Sequence, residues 1–265
     1  MNFLKYIKNN IEIIIFIILA LLLIYLLIKK NLENFFIEKH GINRLDAIIY
    51  INLENRGDRK ELLIKELEKL DTDMSKVHKV CGVFIPKNGH KGCVQSHILA
   101  LNMIKMNKWK RVLILEDDAE LDIPPDAFNN LINQTLDSLD TQHPEWDVIM
   151  LGSANKIIDK TIPSIPLDIA TLDGPIIPIQ IQKLHTATTA TSYIIKDTYV
   201  DSILNLFGNC NENMKHDKLT GNNYEDWALD QKWMELQRKD NWYVMDKDSF
   251  KQRNIWSTTM TESHY

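Results

Sequence analysis

The sequence predicts an α/β protein with a mostly parallel central sheet flanked by helices. Two observations lead to this fold class. Short runs of continuous apolar residues, such as DAIIYINL (46–53) and RVLILE (111–116), are typical of strands buried on both faces of a sheet. Between them, DRKELLIKELEKL (58–70) places its leucines on one stripe and its charges elsewhere, as a helix packed on a sheet does. Alternation of these two patterns is characteristic of α/β folds.

The remaining elements continue this alternation up to residue 152. We predict further helices at 93–106 and 126–139 and a strand at 146–152. Beyond them, the prolines of TIPSIPLDIATLDGPIIPIQIQ predict a loop-rich segment, because proline ends helices and keeps strands short or at an edge. Regular structure is then predicted to return as a strand leading into a helix, a mobile loop and a last helix, at 192–207, 207–224 and 224–239.

Composition describes an ordinary globular protein. The chain has 265 residues, of which 45% are hydrophobic and 25% charged, with a net charge of −5. No basic excess is present to attract nucleic acid, so we predict no nucleic-acid partner. The three cysteines are widely spaced and odd in number, which gives neither a disulfide framework nor paired zinc spacing, and buried thiols are the simplest interpretation.

The N-terminus predicts a membrane segment. IIIFIILALLLIYLLI (13–28) contains no charged residue and, with the two preceding positions, approaches the roughly 20 residues that span a bilayer as a helix. A cleaved signal peptide is the alternative, but the run exceeds the usual h-region and no small-residue cleavage site follows it. Basic residues flank both ends, so charge does not decide the orientation. We therefore divide the chain into an anchor (1–30), a stem (31–44) and a folded domain (45–265).

An acidic run ends the strand at 111–116. Glu116, Asp117 and Asp118 are consecutive, and three adjacent carboxylates repel one another unless a cation, a basic side chain or water compensates them. Ligands of open α/β sheets bind at the carboxyl ends of strands, where this run lies. Alternation along an extended chain would turn Glu116 and Asp118 to one side and Asp117 to the other. Oxygen ligands favour Mg²⁺ or Mn²⁺. A solvated acidic loop is the open alternative.

Two further stretches suit an anion. GHKGCVQSH places Gly89 and Gly92 just before a predicted helix, where backbone N–H groups can meet a negative charge, and His97 in its first turns. INLENRGDR places Arg56 and Arg59 directly after the first strand, where a guanidinium could bind a diphosphate. A metal site together with two anion-binding strand ends is what a nucleoside diphosphate sugar requires.

Several of these stretches resemble the successive blocks of glycosyltransferase family 25. They are YINLENRGDRKE, GHKGCVQSHILAL followed by VLILEDDAEL, and WDVIMLG. That family includes lipooligosaccharide galactosyltransferases and collagen galactosyltransferase domains. The resemblance extends from about Asp46 to Ser257 and is strongest over residues 89–121.

The resemblance implies a GT-A-type fold, a UDP-linked donor and a divalent ion, Mn²⁺ or Mg²⁺, that joins the diphosphate to an acidic motif. In this chain the motif is EDD. Asp118 corresponds to the principal metal ligand, with Glu116 or Asp117 supporting the metal or the ribose. The donor-binding positions matched by the first two blocks are Arg56, Arg59, Ser96 and His97. A cap or a hydrogen-bonded core residue is the alternative for His97.

Matches in the last third of the chain complete the implied site. HTATTATSYII resembles a family block in which a histidine precedes small residues and a tyrosine, making His185 a candidate near the donor. YEDWALD resembles a short aspartate-containing helix start, in which Asp226 fits better than Asp230 and either is the candidate base. KQRNIWS supplies Gln252 and Ser257. Asp226 could instead only favour a helix N-terminus.

The resulting hypothesis is a membrane-anchored glycosyltransferase. It would move galactose or glucose from a metal-bound UDP-sugar to a hydroxyl of a glycan or protein, with inversion. By analogy it would be a single-pass type II protein facing a secretory lumen, where the NQT at Asn133 would be a possible glycosylation site. The alternative is a membrane-anchored binding or adhesion module that keeps the fold without turnover. A phosphoryl-transfer enzyme is disfavoured because no P-loop motif is present.

Overall fold

The computed structural model describes residues 11–38, 40–172, 174–214 and 226–254. The chain forms two compact units, one up to His40 and one from Gly41 onwards. The boundary between them falls inside the segment predicted as a stem.

The first unit contains helix α1 (Ile11–Glu38), which runs through most of the predicted stem. Its apolar side chains between Ile15 and Ile28 are more than half exposed, apart from the half-buried Ala20. In the part of the chain that the structure describes, we find no helix with the length and apolar content needed to cross a membrane. The predicted transmembrane helix is therefore not supported.

The second unit is built on a seven-stranded sheet with helices on both faces. Its elements are β1 (Ala47–Asn52), α2 (Gly57–Lys69), β2 (Val77–Cys81), α3 (Gly89–Asn107), β3 (Arg111–Glu116), β4 (Ala119–Leu121), α4 (Pro125–Gln142), β5 (Val148–Ile158), β6 (Ile165–Ile169), β7 (Ile177–Lys196), α5 (Val200–Asn213), α6 (Leu229–Lys232), α7 (Met234–Lys239), β8 (Trp242–Met245) and β9 (Phe250–Gln252). The sheet order is β2-β1-β3-β7-β5-β8, β6 pairs with β7, and β4 and β9 form a separate two-stranded sheet.

The sheet is mixed, which corrects the prediction of mostly parallel pairing. β1 pairs in parallel with β2 and β3, and β5 with β8. The long strand β7 is antiparallel to each of its partners β3, β5, β6 and β8. Six strands therefore share one direction and β7 alone opposes them. The carboxyl ends of β1, β2, β3 and β5 consequently lie at one edge.

The strands and helices predicted up to residue 152 are confirmed, with α3 beginning four residues earlier than expected. The predicted loop-rich segment is wrong, because β5 continues to Ile158 and β6 and β7 follow. Pro166 lies in β6, which in the described chain pairs on one side only, so its missing N–H breaks no ladder bond on the open side. In the predicted mobile loop, α5 extends to Asn213, and residues 215–225 lie outside the described residues.

The continuous apolar character of the inner strands follows from their burial on both faces. Ile48 and Tyr50 of β1 belong to a core cluster with side chains of α2 and α4. Ile49 and Ile51, which point the other way, belong to a second cluster with side chains of α3 and α5. Both faces are thus covered by helices, as predicted.

Asn133, in α4, has a structural role. Its Oδ1 accepts a hydrogen bond from the backbone N–H of Gly41 at 2.9 Å, and its backbone carbonyl accepts one from Arg44 Nη1 at 3.0 Å. Thr135, the last residue of the NQT triplet, is fully buried. This triplet therefore holds the start of the second unit against α4 and is poorly placed to accept a glycan.

Candidate active site

A cavity of about 250 Å³ opens at the carboxyl ends of β1, β2 and β3. One wall is apolar and is formed by Leu53 after β1 and by Phe84 and Ile85 after β2. The opposite wall carries the acidic run 116–118, and Asp230 lines a third side. An apolar wall facing a carboxylate cluster suits a ligand with a flat ring at one end and a charged group at the other.

The acidic run does not alternate as an extended strand. β3 ends at Glu116, and Asp117 and Asp118 form a turn that leads into β4. Asp117 and Asp118 consequently both contact Arg59, whereas Glu116 faces α3. The expected pairing of Glu116 with Asp118 on one side is replaced by this arrangement.

Both carboxylate oxygens of Asp117 are already engaged. Oδ1 accepts a hydrogen bond from Arg59 Nη1 at 2.8 Å, and Oδ2 accepts one from Asn52 Nδ2 at 2.8 Å. Asn52, the last residue of β1, also donates to the backbone carbonyl of Arg56. Sequence reasoning missed Asn52, whose only signal is its position at a strand end. Asp117 thus serves to hold the turn rather than to offer ligand oxygens.

Asp118 is the least satisfied of the three acids. Its Oδ2 accepts from Gln252 Nε2 at 3.2 Å and lies 3.4 Å from Arg59 Nη1. Its Oδ1 is buried and has no hydrogen-bond partner among the described residues. Burial, together with the nearby charge of Glu116, raises the pKa of Asp118 to about 7. A second positive charge at this position would remove both costs.

Glu116 meets two side chains of α3. Its Oε1 lies 3.4 Å from His97 Nε2 and 3.5 Å from Cys93 Sγ. Burial would raise the pKa of Glu116, but the hydrogen bonds from His97 and Cys93 and the charge of Arg59 outweigh it, so the pKa is lowered. Burial and the charge of Glu116 raise the pKa of Cys93 well above its usual range. Near neutral pH the carboxylate is therefore charged and the thiol neutral.

The donor set of this edge fits a hard dication at Asp118. Among the described side chains that line the cavity, Arg59 is the one lysine or arginine, so three carboxylates share a single guanidinium. The excess negative charge, and the unpartnered Asp118 Oδ1, provide oxygen ligands of the kind that Mn²⁺ and Mg²⁺ prefer. Asp118 would hold the ion, and Glu116 lies close enough in sequence to support it.

Asp230 is fixed across the cavity by a strained backbone. Its Oδ2 accepts a hydrogen bond from the backbone N–H of Thr189 at 3.0 Å. Thr189 has φ 72°, a left-handed conformation that is costly for a β-branched residue. On the paired strand β5, Asn155 also has a left-handed φ of 52°, and its side chain donates to Thr188 Oγ1. Such strain concentrates at functional sites, which favours a role for Asp230.

The other candidate base lies elsewhere. Asp226 is exposed in the turn before α6 and does not line the cavity. Sequence spacing favoured Asp226 over Asp230, whereas the structure brings Asp230 to the acidic run.

Of the two arginines after β1, only Arg59 lines the cavity. Arg56 pairs with Asp58 through its Nε and Nη2 at 3.0 and 2.8 Å, which raises the pKa of Arg56. Arg59 is 5% exposed and lies against Asp117 and Asp118. Its charge is thus directed at the protein's own carboxylates.

Ser96 joins α3 to the loop after β2. Its Oγ accepts from the backbone N–H of Val83 at 2.8 Å and donates to the carbonyl of Gly92 at 2.7 Å. A Cβ at Gly92 would lie 2.3 Å from the carbonyl oxygen of Val83, so only glycine permits this close approach. The first turn of α3 is capped by Asn88, whose Oδ1 accepts from Lys91 N. Ser96 and Gly92 therefore position the wall that carries Phe84.

The remaining candidates are divided. Gln252, on β9, lines the cavity through its contact with Asp118. His185 is exposed on β7 and does not line the cavity. Ser257 lies outside the described residues.

This fold and this acidic site define the class of a glycosyltransferase-type α/β protein. The sequence model of glycosyltransferase family 25 (LPS biosynthesis protein) matches residues 87–220, just over half of the chain. The chain belongs to glycosyltransferase family 25, which confirms the resemblance predicted from its motifs. The matched region includes α3, the acidic run and β7.

One curated relative and two solved structures are similar to the chain. Procollagen galactosyltransferase 1-B of Xenopus laevis is 24% identical over 145 residues, 46% of this chain and 23% of that protein. The chain thus spans about a quarter of that relative's length. A glycosyltransferase involved in the glycosylation of the major capsid of PBCV-1 has a TM-score of 0.45 at 11% identity, covering 80% of this chain and 93% of its own. For mannose-1-phosphate geranyltransferase from Thermus thermophilus the values are 0.39, 10%, 80% and 75%.

Proposed function

We propose that the chain transfers galactose or glucose from a UDP-sugar to a hydroxyl of a glycan or protein in a reaction that depends on Mn²⁺ or Mg²⁺. The observation that carries the proposal is the buried, unpartnered Oδ1 of Asp118 in a cavity where acids outnumber bases. An unpaired buried carboxylate oxygen is costly unless a ligand compensates it. A dication with a bound diphosphate supplies that compensation.

The residues around the acidic run divide the work of donor binding. Arg59 and Asn52 hold Asp117, which fixes the turn and so the direction of Asp118. Gln252 donates to the second oxygen of Asp118 and leaves the first for the ion. The ion, when bound, stabilises the negative charge that grows on the departing diphosphate. The apolar wall of Leu53 and Phe84 offers a surface for the base.

Asp230 is our candidate for the group that takes the acceptor's proton. An inverting transfer requires a base on the face opposite the leaving group. Thr189 N–H fixes one carboxylate oxygen of Asp230, and the cavity separates this side chain from the acidic run. Asp230 is thus held where an acceptor hydroxyl could approach.

The test is a screen of UDP-sugars for transfer or hydrolysis by the full chain with Mn²⁺. We expect one UDP-hexose to be consumed and Asp118→Asn to lose at least about 99% of the rate, since metal and charge contacts of this kind contribute on the order of a hundredfold. Asp122→Asn is the matched control, because Asp122 pairs with Lys251 outside the cavity. Equal rates for parent and Asp118→Asn would overturn the metal assignment. UDP binding without turnover would support the binding module instead.

We also propose that α1 attaches the protein to a membrane as a single-pass type II protein, with the transferase unit in a secretory lumen or its equivalent. What supports attachment is the exposed apolar surface between Ile15 and Ile28, which is larger than soluble surfaces normally carry. The full chain is expected to stay with membranes after carbonate washing, whereas residues 41–265 are expected in the supernatant. Release of both by the wash would refute it.

A further inference from the structure

Behind the acidic run, three potential metal ligands converge. Cys93 and His97 are four residues apart on α3 and so lie on the same face of the helix, one turn apart. Glu116, at the end of β3, points at both of them. Its Oε1 lies 3.5 Å from Cys93 Sγ and 3.4 Å from His97 Nε2, and the three ligand atoms all lie within 4.8 Å of one another.

These separations are close to those of a tetrahedral zinc centre. Ligand atoms that are about 2.0–2.3 Å from a tetrahedral ion lie roughly 3.3–3.8 Å from each other. Two of the three separations already lie in this range, so small side-chain movements suffice. The donor set of sulfur, imidazole nitrogen and one carboxylate oxygen is one that Zn²⁺ accepts and that Mn²⁺ and Mg²⁺, which prefer oxygen, do not.

The histidine is held in the orientation that a metal ligand needs. His97 is fully buried, with its ring stacked on Tyr193 at 5.9 Å and edge-on to Phe207 at 6.1 Å. Its Nδ1 lies 2.9 Å from the hydroxyl of Tyr193. A hydrogen bond on the far nitrogen fixes the ring and its tautomer in metal sites. When Nδ1–H donates to Tyr193, the Nε2 lone pair faces the Glu116 carboxylate, and a cation between them relieves the repulsion.

We propose that Cys93, His97 and Glu116 form a second metal site, selective for thiophilic dications such as Zn²⁺ and separate from the oxygen ligand at Asp118. All three side chains line the cavity, so the fourth position of the ion is open to it. The proposal does not depend on the identity of the sugar donor, nor on whether the chain turns over a UDP-sugar. Its consequence is that Zn²⁺ and a hard dication draw on different side chains of the same cavity.

The test uses Co²⁺ as a spectroscopic substitute for Zn²⁺ in the full chain. We expect one Co²⁺ per chain with a thiolate-to-cobalt charge-transfer band in the near-ultraviolet, lost when one equivalent of Zn²⁺ is added. Cys93→Ser should abolish the band, and Glu116→Gln should weaken Co²⁺ binding at least tenfold. Cys81→Ser is the matched control, because Cys81 is exposed on β2 and outside the cluster. Asp118→Asn should keep the band even if it abolishes any UDP-sugar turnover, which separates the two sites.

A readout without substitutions completes the design. Zn²⁺ should protect Cys93 from alkylation, read by peptide mass spectrometry, while Cys81 in the same sample stays reactive. Absence of the charge-transfer band in the parent, its persistence in Cys93→Ser, or equal alkylation of Cys93 with and without Zn²⁺ would overturn the proposal.

Discussion

The two edges of the central sheet both carry charged residues, but they pair them differently. At the amino-terminal edge, where β1 and β3 begin, the Asp46 carboxylate accepts from the backbone N–H groups of Lys110 and Arg111 at 2.5 and 3.1 Å. The Lys110 ammonium in turn pairs with Asp197 at 2.7 Å. At the carboxyl edge, where these strands end, Asp117 and Asp118 share Arg59.

The difference indicates which edge is shaped for stability and which for a ligand. Exposed pairs such as Lys110–Asp197 match their charges one to one and are screened by solvent. The carboxyl edge instead buries an acid whose pKa is raised to about 7 and leaves its Oδ1 without a described partner. Perturbed acids in a cavity are the pattern of functional sites. Four experiments test this contrast.

The largest effect is expected from the two candidate bases. Asp230→Asn should lower kcat by about 10²–10⁴-fold, the usual contribution of general-base catalysis, with little change in donor KM. Asp226→Asn, which changes an exposed carboxylate outside the cavity, should stay within about twofold of the parent. Initial rates with a saturating UDP-sugar measure both. The reverse ranking would return the base to Asp226.

Removing the shared guanidinium should unfold the protein more readily. Arg59→Ala leaves two buried carboxylates unpaired, which typically costs about 3–5 kcal/mol of unfolding free energy. Lys110→Ala, at the amino-terminal edge, should leave the urea midpoint unchanged because its ammonium is solvated. Urea denaturation of both variants at neutral pH compares the edges directly. Equal midpoints would remove the contrast between them.

Asp118 should make the parent less stable as pH rises. Its folded pKa of about 7 lies above the usual 3.8, so between these values the native state holds a proton that the unfolded chain has lost. Stability from this group is therefore lost as pH increases toward 7. In EDTA, Asp118→Asn should gain roughly 2–3 kcal/mol relative to the parent between pH 5 and pH 8, at about 1.4 kcal/mol per pKa unit. Parallel pH profiles of unfolding free energy would contradict the assignment.

The smallest effect concerns the strained segment of β7. Glycine adopts the φ of Thr189 without strain, so Thr189→Gly should change unfolding free energy by less than about 0.5 kcal/mol and should keep the N–H that holds Asp230. Thr188→Gly, at the neighbouring position, should cost about 1 kcal/mol or more, because it gives up a side-chain hydrogen bond and adds backbone freedom. Thermal melts of both variants provide the comparison. A larger loss at Thr189 would show that its side chain matters.

The fold was predictable where its signals are local. Continuous apolar runs and one-sided leucine stripes correctly located β1, α2, β3 and α4, because burial on two faces or one stripe writes a period into the sequence. β6 and the first half of β7 were missed since their prolines suggested loops. An edge strand tolerates proline, but which strand lies at an edge depends on distant pairing. The reversed direction of β7 has no local signal either.

The candidate site was predictable to the same extent. Consecutive acids at a strand end and an arginine after β1 are visible in the sequence, and the structure brings Asp118 and Arg59 together. Asn52 and Tyr193 were missed because their roles arise from contacts across 65 and 96 positions of the chain. Two local patterns of equal appearance, Asp226 and Asp230, were separated only by the fold.

The position of β7 also dictates when the protein becomes safe from misassembly during synthesis. β3 acquires its second neighbour only when Lys196, the partner of Arg111, has emerged from the ribosome. That interval of about 80 residues lasts roughly 4–16 seconds at ordinary translation speeds of about 5–20 residues per second. Throughout it, an apolar strand with open backbone groups is available to other nascent chains. Truncations that stop short of residue 196 should therefore aggregate rather than yield a smaller soluble fragment.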